Sequence, residues 1–115
     1  MKVIKAYFML MVDDMDRATA FYRDAFGLSG GFISPEWSEL TWGDATVAFH
    51  GGRGGGEHRP TGLGFEVDDL DAACAAVAAA GGTIVMAPSD RPGEPIRLAE
   101  VADPEGNVVS IAQPI

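Results

Sequence analysis

Cysteine, histidine and basic side chains are scarce in this 115-residue chain. The single thiol, Cys74, excludes an internal disulfide and fits a reducing, cytoplasmic setting. Eight Lys and Arg stand against seventeen Asp and Glu, for a net charge of −9. That balance argues against nucleic acid and anionic membrane as partners, and it favours a neutral or cationic ligand. No apolar run approaches the roughly 20 residues that a bilayer span needs, and the N-terminus lacks the pattern of a secretory signal. The glycine-rich stretch Gly51 to Pro60 has neither a Gly-Lys-Ser/Thr sequence nor a helix pattern after it, so it is not a phosphate loop. It reads as a flexible connector.

What the chain does have is an internal copy. Val12-Asp13-Asp14-Met15-Asp16-Arg17-Ala18 returns 55 residues later as Val67-Asp68-Asp69-Leu70-Asp71-Ala72-Ala73, and Ala20/Ala75, Ala25/Ala80 and Gly27/Gly82 extend the match. Two copies are too few for a solenoid, where at least three stacked units are expected. With 47% hydrophobic residues in so short a chain, they read as two modules sharing one core in a single domain, 1–115. Module 1 covers about 1–52, the linker about 51–60 and module 2 about 61–115.

Each copy carries the same local chemistry. An apolar run ends in two aspartates, the first of which, Asp13 or Asp68, is placed to cap a helix, with Asp16 or Asp71 in the positively polarised first turn. Met15, Ala18, Tyr22 and Ala25 share one face at helical spacing, as do Leu70, Ala73, Val77 and Ala80. Gly27 and Gly81-Gly82 stop the two helices. Upstream, Lys2 to Val12 reads as a strand with Phe8, Leu10 and Val12 toward the helix and Tyr7, Met9 and Met11 on the other side. Both sets are apolar, so the strand is expected to be buried on both sides, against the core on one and against a pocket or partner on the other. Strands are expected at Phe32–Ile33, Ser38–Trp42 and Ala45–His50 in the first half. The second half predicts strands at Gly62–Val67, Thr83–Met86, Ile96–Val101 and Val108–Ala112. The fold class is α+β: two tandem βαβββ modules forming an eight-stranded, U-shaped mixed sheet around a cavity, with the helices outside.

Two motifs carry a family resemblance. Asp14-x-x-Arg17-Ala18-x-x-Phe21-Tyr22-x-x-x-Phe26-Gly27-Leu28 near the start, with Asp103-Pro104-Glu105-Gly106-Asn107-Val108-Val109 near the end, resembles the vicinal oxygen chelate superfamily. That group includes glyoxalase I, extradiol dioxygenases, methylmalonyl-CoA epimerase, fosfomycin-resistance enzymes and bleomycin-resistance binding proteins. In its metal-dependent members, the resemblance implies, ligands come from inward positions on the first and last strand of each module. Those positions correspond here to Tyr7, Ala48, Gly62 and Ser110. None offers the imidazole, thiolate or carboxylate donors that a divalent ion needs, so no metal and no cofactor is expected.

Strand alternation and the resemblance together place the ligand site among Tyr7, Met9, Met11, Trp37, Trp42, Ala48, His50, Gly62, Glu66, Arg97 and Ser110. Arg97 and Glu100 lie three apart on one strand and therefore point to opposite faces; the sequence leaves open which one enters the cavity. The function expected is a metal-independent protein resembling the bleomycin-resistance type, a homodimer sequestering an aromatic or cationic compound in an apolar cavity. The alternative is a glyoxalase- or dioxygenase-like lyase or isomerase working through protein acid and base groups, with His50, Glu66 and Glu100 as candidates.

Overall fold

The computed structural model describes residues 1–54 and 57–115; Gly55 and Gly56 of the expected linker lie outside the described residues. The chain runs β1 (Phe8–Met11), α1 (Met15–Phe26), β2 (Ser29–Phe32), β3 (Trp37–Trp42) and β4 (Ala45–His50). The order then repeats as β5 (Arg59–Glu66), α2 (Leu70–Ala79), β6 (Thr83–Asp90), β7 (Ile96–Ala102) and β8 (Asn107–Pro114). This is the tandem βαβββ plan. Its hydrogen bonding divides into two four-stranded sheets, ordered β1-β4-β3-β2 and β5-β8-β7-β6, rather than one continuous ladder. In each sheet the first strand of the module is an edge that runs parallel to the last strand.

The first strand is shorter than Lys2 to Val12. Phe8 pairs with Val47 and Met11 with His50, so β4, beginning at Ala45, gives residues before Ala6 no partner. The caps differ too. Asp14 and Asp69, the second aspartate of each pair, cap the helices by accepting from the N–H of Arg17 and Ala72, each at 3.0 Å. The chain is still tied to the sheet just before them, through Val12 N–H to the His50 carbonyl at 3.0 Å and Val67 N–H to the Ala112 carbonyl at 2.9 Å. One residue is consumed in turning away, and capping passes to the next aspartate. Gly27 closes α1 in the left-handed region at φ 72°, as a helix-stopping glycine should.

Both helices lie on one side of the sheets and touch each other, α1 over β3 and β4, α2 over β6 to β8. Leu10, Val12, Phe21, Tyr22, Leu40 and Phe49 of the first module join Leu63, Leu70, Val77, Val101 and Ile111 of the second in one buried core. The other side is open. Tyr7 and Met9 are 49% and 42% exposed, so in the single chain the second face of β1 stands open, the face expected to meet a pocket or partner. The molecule is a slab of 40 × 36 × 22 Å.

The Asp103–Asn107 turn locks the modules together. Fully buried Glu105 accepts from the Asp13 and Asp14 N–H groups and from the Arg17 guanidinium, reaching from the second module to the start of α1. Asp103 accepts from the Tyr22 hydroxyl at 2.7 Å and from the Glu105 and Asn107 N–H groups. Arg59 spans the same junction, donating to the carbonyls of Met11 and Glu105. The outer edges are irregular. β2 shifts register between Ser29 and Phe32 around Gly30 and Gly31, at φ 70° and 79°, while β6 shifts twice and carries Pro88.

Candidate functional site

Strand register settles which side chains share the open face. On the first sheet Met9 stands beside Ala48, Met11 beside His50, and His50 and Ala48 lie across from Trp37 and Glu39. These residues form a connected cluster. Tyr7 meets Trp37 edge-on at 5.7 Å, and Trp37 meets His50 edge-on at 6.3 Å. The Trp37 indole donates to Glu39 at 2.8 Å, while Lys5, in the segment preceding β1, donates to the same carboxylate at 2.5 Å and stands 5.9 Å from the Tyr7 ring centre. The hydrogen bond from Lys5, followed by that from Trp37, holds the Glu39 carboxyl below its ordinary value. His50 Nδ1 donates to the Gly51 carbonyl at 2.9 Å, which leaves Nε2 as the acceptor of the neutral ring.

On the second sheet Gly64 stands beside Ser110, Glu66 beside Ala112, and Glu100 across from Ser110. Glu100 therefore shares the open face. Arg97 points to the helix side, toward Asp71 of α2 at 3.8 Å and Asp90 at 3.6 Å. Trp42 also points to the helix side, since it lies two residues beyond buried Leu40 on the same face of β3. Of the residues expected at the site, Tyr7, Met9, Met11, Trp37, Ala48 and His50 gather on one sheet, and Gly62, Glu66 and Ser110 lie on the other. Trp42 and Arg97 do not join them.

Lys5 and Glu39 were not among the expected residues. Glu39 could have been found, because it lies two residues from Trp37 along β3, and so could Lys5, which shares the side of Tyr7, Met9 and Met11 in the expected Lys2–Val12 strand. Cys74 lies on α2, apart from the open face, and burial raises its thiol above the ordinary value, with Asp71 adding to the effect. The face also does not fit the metal that the fold family can carry. Its paired central positions are Met9 with Ala48 and Gly64 with Ser110, and among the described residues no group of three His, Cys, Asp or Glu is placed to hold an ion.

A cleft of ≈ 670 Å³ opens on the opposite, helix side, where the start of β1 and β4 faces the end of β5 across the junction of the modules. Phe8, Phe26, Trp42 and Phe65 are among its lining residues. Among the described residues, no helix is long and apolar enough to cross a membrane.

Known proteins with this plan are numerous. The chain is 34% identical over 117 residues to the Mycobacterium bovis protein named "Putative glyoxylase CFP32"; the match covers 91% of this chain and 42% of that relative, so the chain spans about two-fifths of its length. Among solved structures, a glyoxalase/bleomycin resistance protein/dioxygenase family enzyme from Burkholderia phytofirmans superposes with a TM-score of 0.78 at 24% identity, covering 95% of this chain and 97% of that one. The fosfomycin resistance protein FosX from Mesorhizobium loti also gives 0.78, at 19% identity, covering 100% and 95% of the two chains. At these identities the superpositions establish the fold. Residues 5–111 match the model of the Glyoxalase/Bleomycin resistance protein/Dioxygenase superfamily, and the chain belongs to that superfamily.

Proposed function

We propose that the protein is a metal-independent binder of a small aromatic or cationic organic molecule, held on the open sheet face in the cytoplasm and enclosed by a second copy of the chain. The observation that carries this reading is the composition of that face. Small or soft side chains, Ala48, Gly64, Ser110 and Met9, occupy its centre, with the Tyr7–Trp37 edge pair on one side and the Glu66 and Glu100 carboxylates on the other. Aromatic walls supply affinity for a flat or cationic group, and a few polar groups set its orientation. An adaptable methionine suits a surface that accepts bulky guests. The resistance named for one structural neighbour concerns a small molecule, which agrees with this reading without specifying the ligand here.

One observation favours a second reading. The His50 ring is oriented by the Gly51 carbonyl, as a general base would be, and it shares the face with Glu66 and Glu100 on the neighbouring sheet. The two readings separate in one experiment. EDTA-treated protein is titrated calorimetrically with a panel of aromatic amines, with and without Zn²⁺, Ni²⁺, Mn²⁺ and Fe²⁺, and product formation is followed in parallel. Binding should saturate without metal; Trp37→Ala should weaken it about tenfold, equivalent to about 1.4 kcal/mol, and His50→Ala should leave affinity within about twofold. Stoichiometric metal uptake with a matching rise in Tm, or turnover that His50→Ala abolishes, would overturn the sequestering reading.

A further inference from the structure

We propose a second ligand site, in the helix-side cleft between the modules, for a flat aromatic molecule that carries a positive charge. It is separate from the open-face reading and uses different residues of the first module.

The cleft is walled by aromatic surface that the fold has left uncovered. Phe26 at the end of α1 stacks on Phe65 of β5, with ring centres 4.1 Å apart and planes within 10°, and forms an apolar floor. Phe8 and Trp42 stand beside it at 48% and 67% exposure. Phe21, Tyr22 and Phe49, on the same side of the sheets, are buried. Two large rings exposed around one apolar depression mark a surface that gains by being covered.

Charge selects what covers it. The described lining residues include Asp68 and Glu66, the latter with its side chain turned toward the open face, and no Lys, Arg or His, in a chain of net charge −9. An anion would meet repulsion there, whereas a cation gains from the Asp68 carboxylate and from the face of the Trp42 indole. A volume of ≈ 670 Å³ lies within the usual range for a drug-sized ligand. A planar ring system can lie against the stacked pair with its charge directed to Asp68.

The chain's two tryptophans report the two faces separately, Trp37 the open face and Trp42 the cleft. The test is to titrate ¹⁵N-labelled protein with proflavine, a planar cation, and with the anionic dye 1-anilinonaphthalene-8-sulfonate, while following both indole N–H signals. Proflavine should shift the Trp42 signal saturably. Trp42→Ala should weaken binding at least tenfold, Asp68→Asn about threefold, and the anionic dye should bind at least tenfold more weakly than proflavine. Both substitutions fall on exposed residues, and unchanged circular dichroism would show the fold intact. The proposal is overturned if proflavine moves Trp37 and not Trp42, if both dyes bind equally, or if Trp42→Ala binds like the parent chain. It is equally overturned if the Trp42 signal moves with protein concentration alone, which would make a second copy the occupant. Loss of aromatic-amine binding at Trp37 would bear only on the open-face reading.

Discussion

Tyr22 shows how much one buried polar atom controls. Its ring lies in the shared core and its hydroxyl donates to Asp103, tying α1 to the turn of the other module. Burial, reinforced by the Asp103 carboxylate, pushes the phenol well above its ordinary value of 10.0. The folded chain therefore holds this proton more tightly than the unfolded chain. Stability is intact below pH 10 and falls as the pH rises past the unfolded phenol's value. Tyr22→Phe should cost about 1 kcal/mol at pH 7 for the lost hydrogen bond, yet flatten the alkaline decline. Urea unfolding between pH 7 and 11.5 measures both; an equally steep decline in the variant would refute the assignment. The role of Tyr22 was only half legible in the sequence. Its place on the apolar helix face could be read from spacing, but its hydroxyl partner lies 81 positions away.

At the scale of elements, local rules worked where local chemistry decides. The Val-Asp-Asp repeat marks strand, cap and helix because each is set by residues within one turn. The caps came one position later than expected because Val12 and Val67 remain bonded to the sheet, which depends on strands elsewhere in the chain. Trp37 and Trp42 lie on opposite sides of one strand, and only the register against β4 shows which faces the helices. Glycine at β2 has a similar long-range cause. A Cβ on Gly31 would stand 1.9 Å from the Glu39 carbonyl oxygen, at a φ of 79°. Gly31→Ala should therefore detach β2 from β3 and cost about 1–3 kcal/mol. Hydrogen exchange should show protection lost at β2 while β4 stays protected; an unchanged β2 would refute this.

For the whole molecule, the duplication explains why neither module has a core of its own. The buried cluster takes residues from both, and Glu105, Arg59 and Asp103 fasten the junction. This much follows from two incomplete copies in one short chain. Strand alternation places Tyr7, Met9 and Met11 on one face, but among the described residues nothing in the single chain covers Tyr7 and Met9. If a second copy closes that face, Met9→Glu should shift the protein toward monomer in sedimentation velocity and remove the rise of Tm with concentration. Met9 is exposed in the single chain, so the substitution leaves the folded subunit standing. A parent chain that sediments as a monomer at every concentration would refute the pairing.

The irregular outer strands have a consequence for life at high concentration. A straight, regular edge is a template on which further chains can add without limit, whereas β2, kinked at Gly30 and Gly31, and β6, shifted twice and interrupted by Pro88, offer no such template. Growth of a longer sheet through these two edges is thereby blocked, and the open sheet face is left as a separate surface.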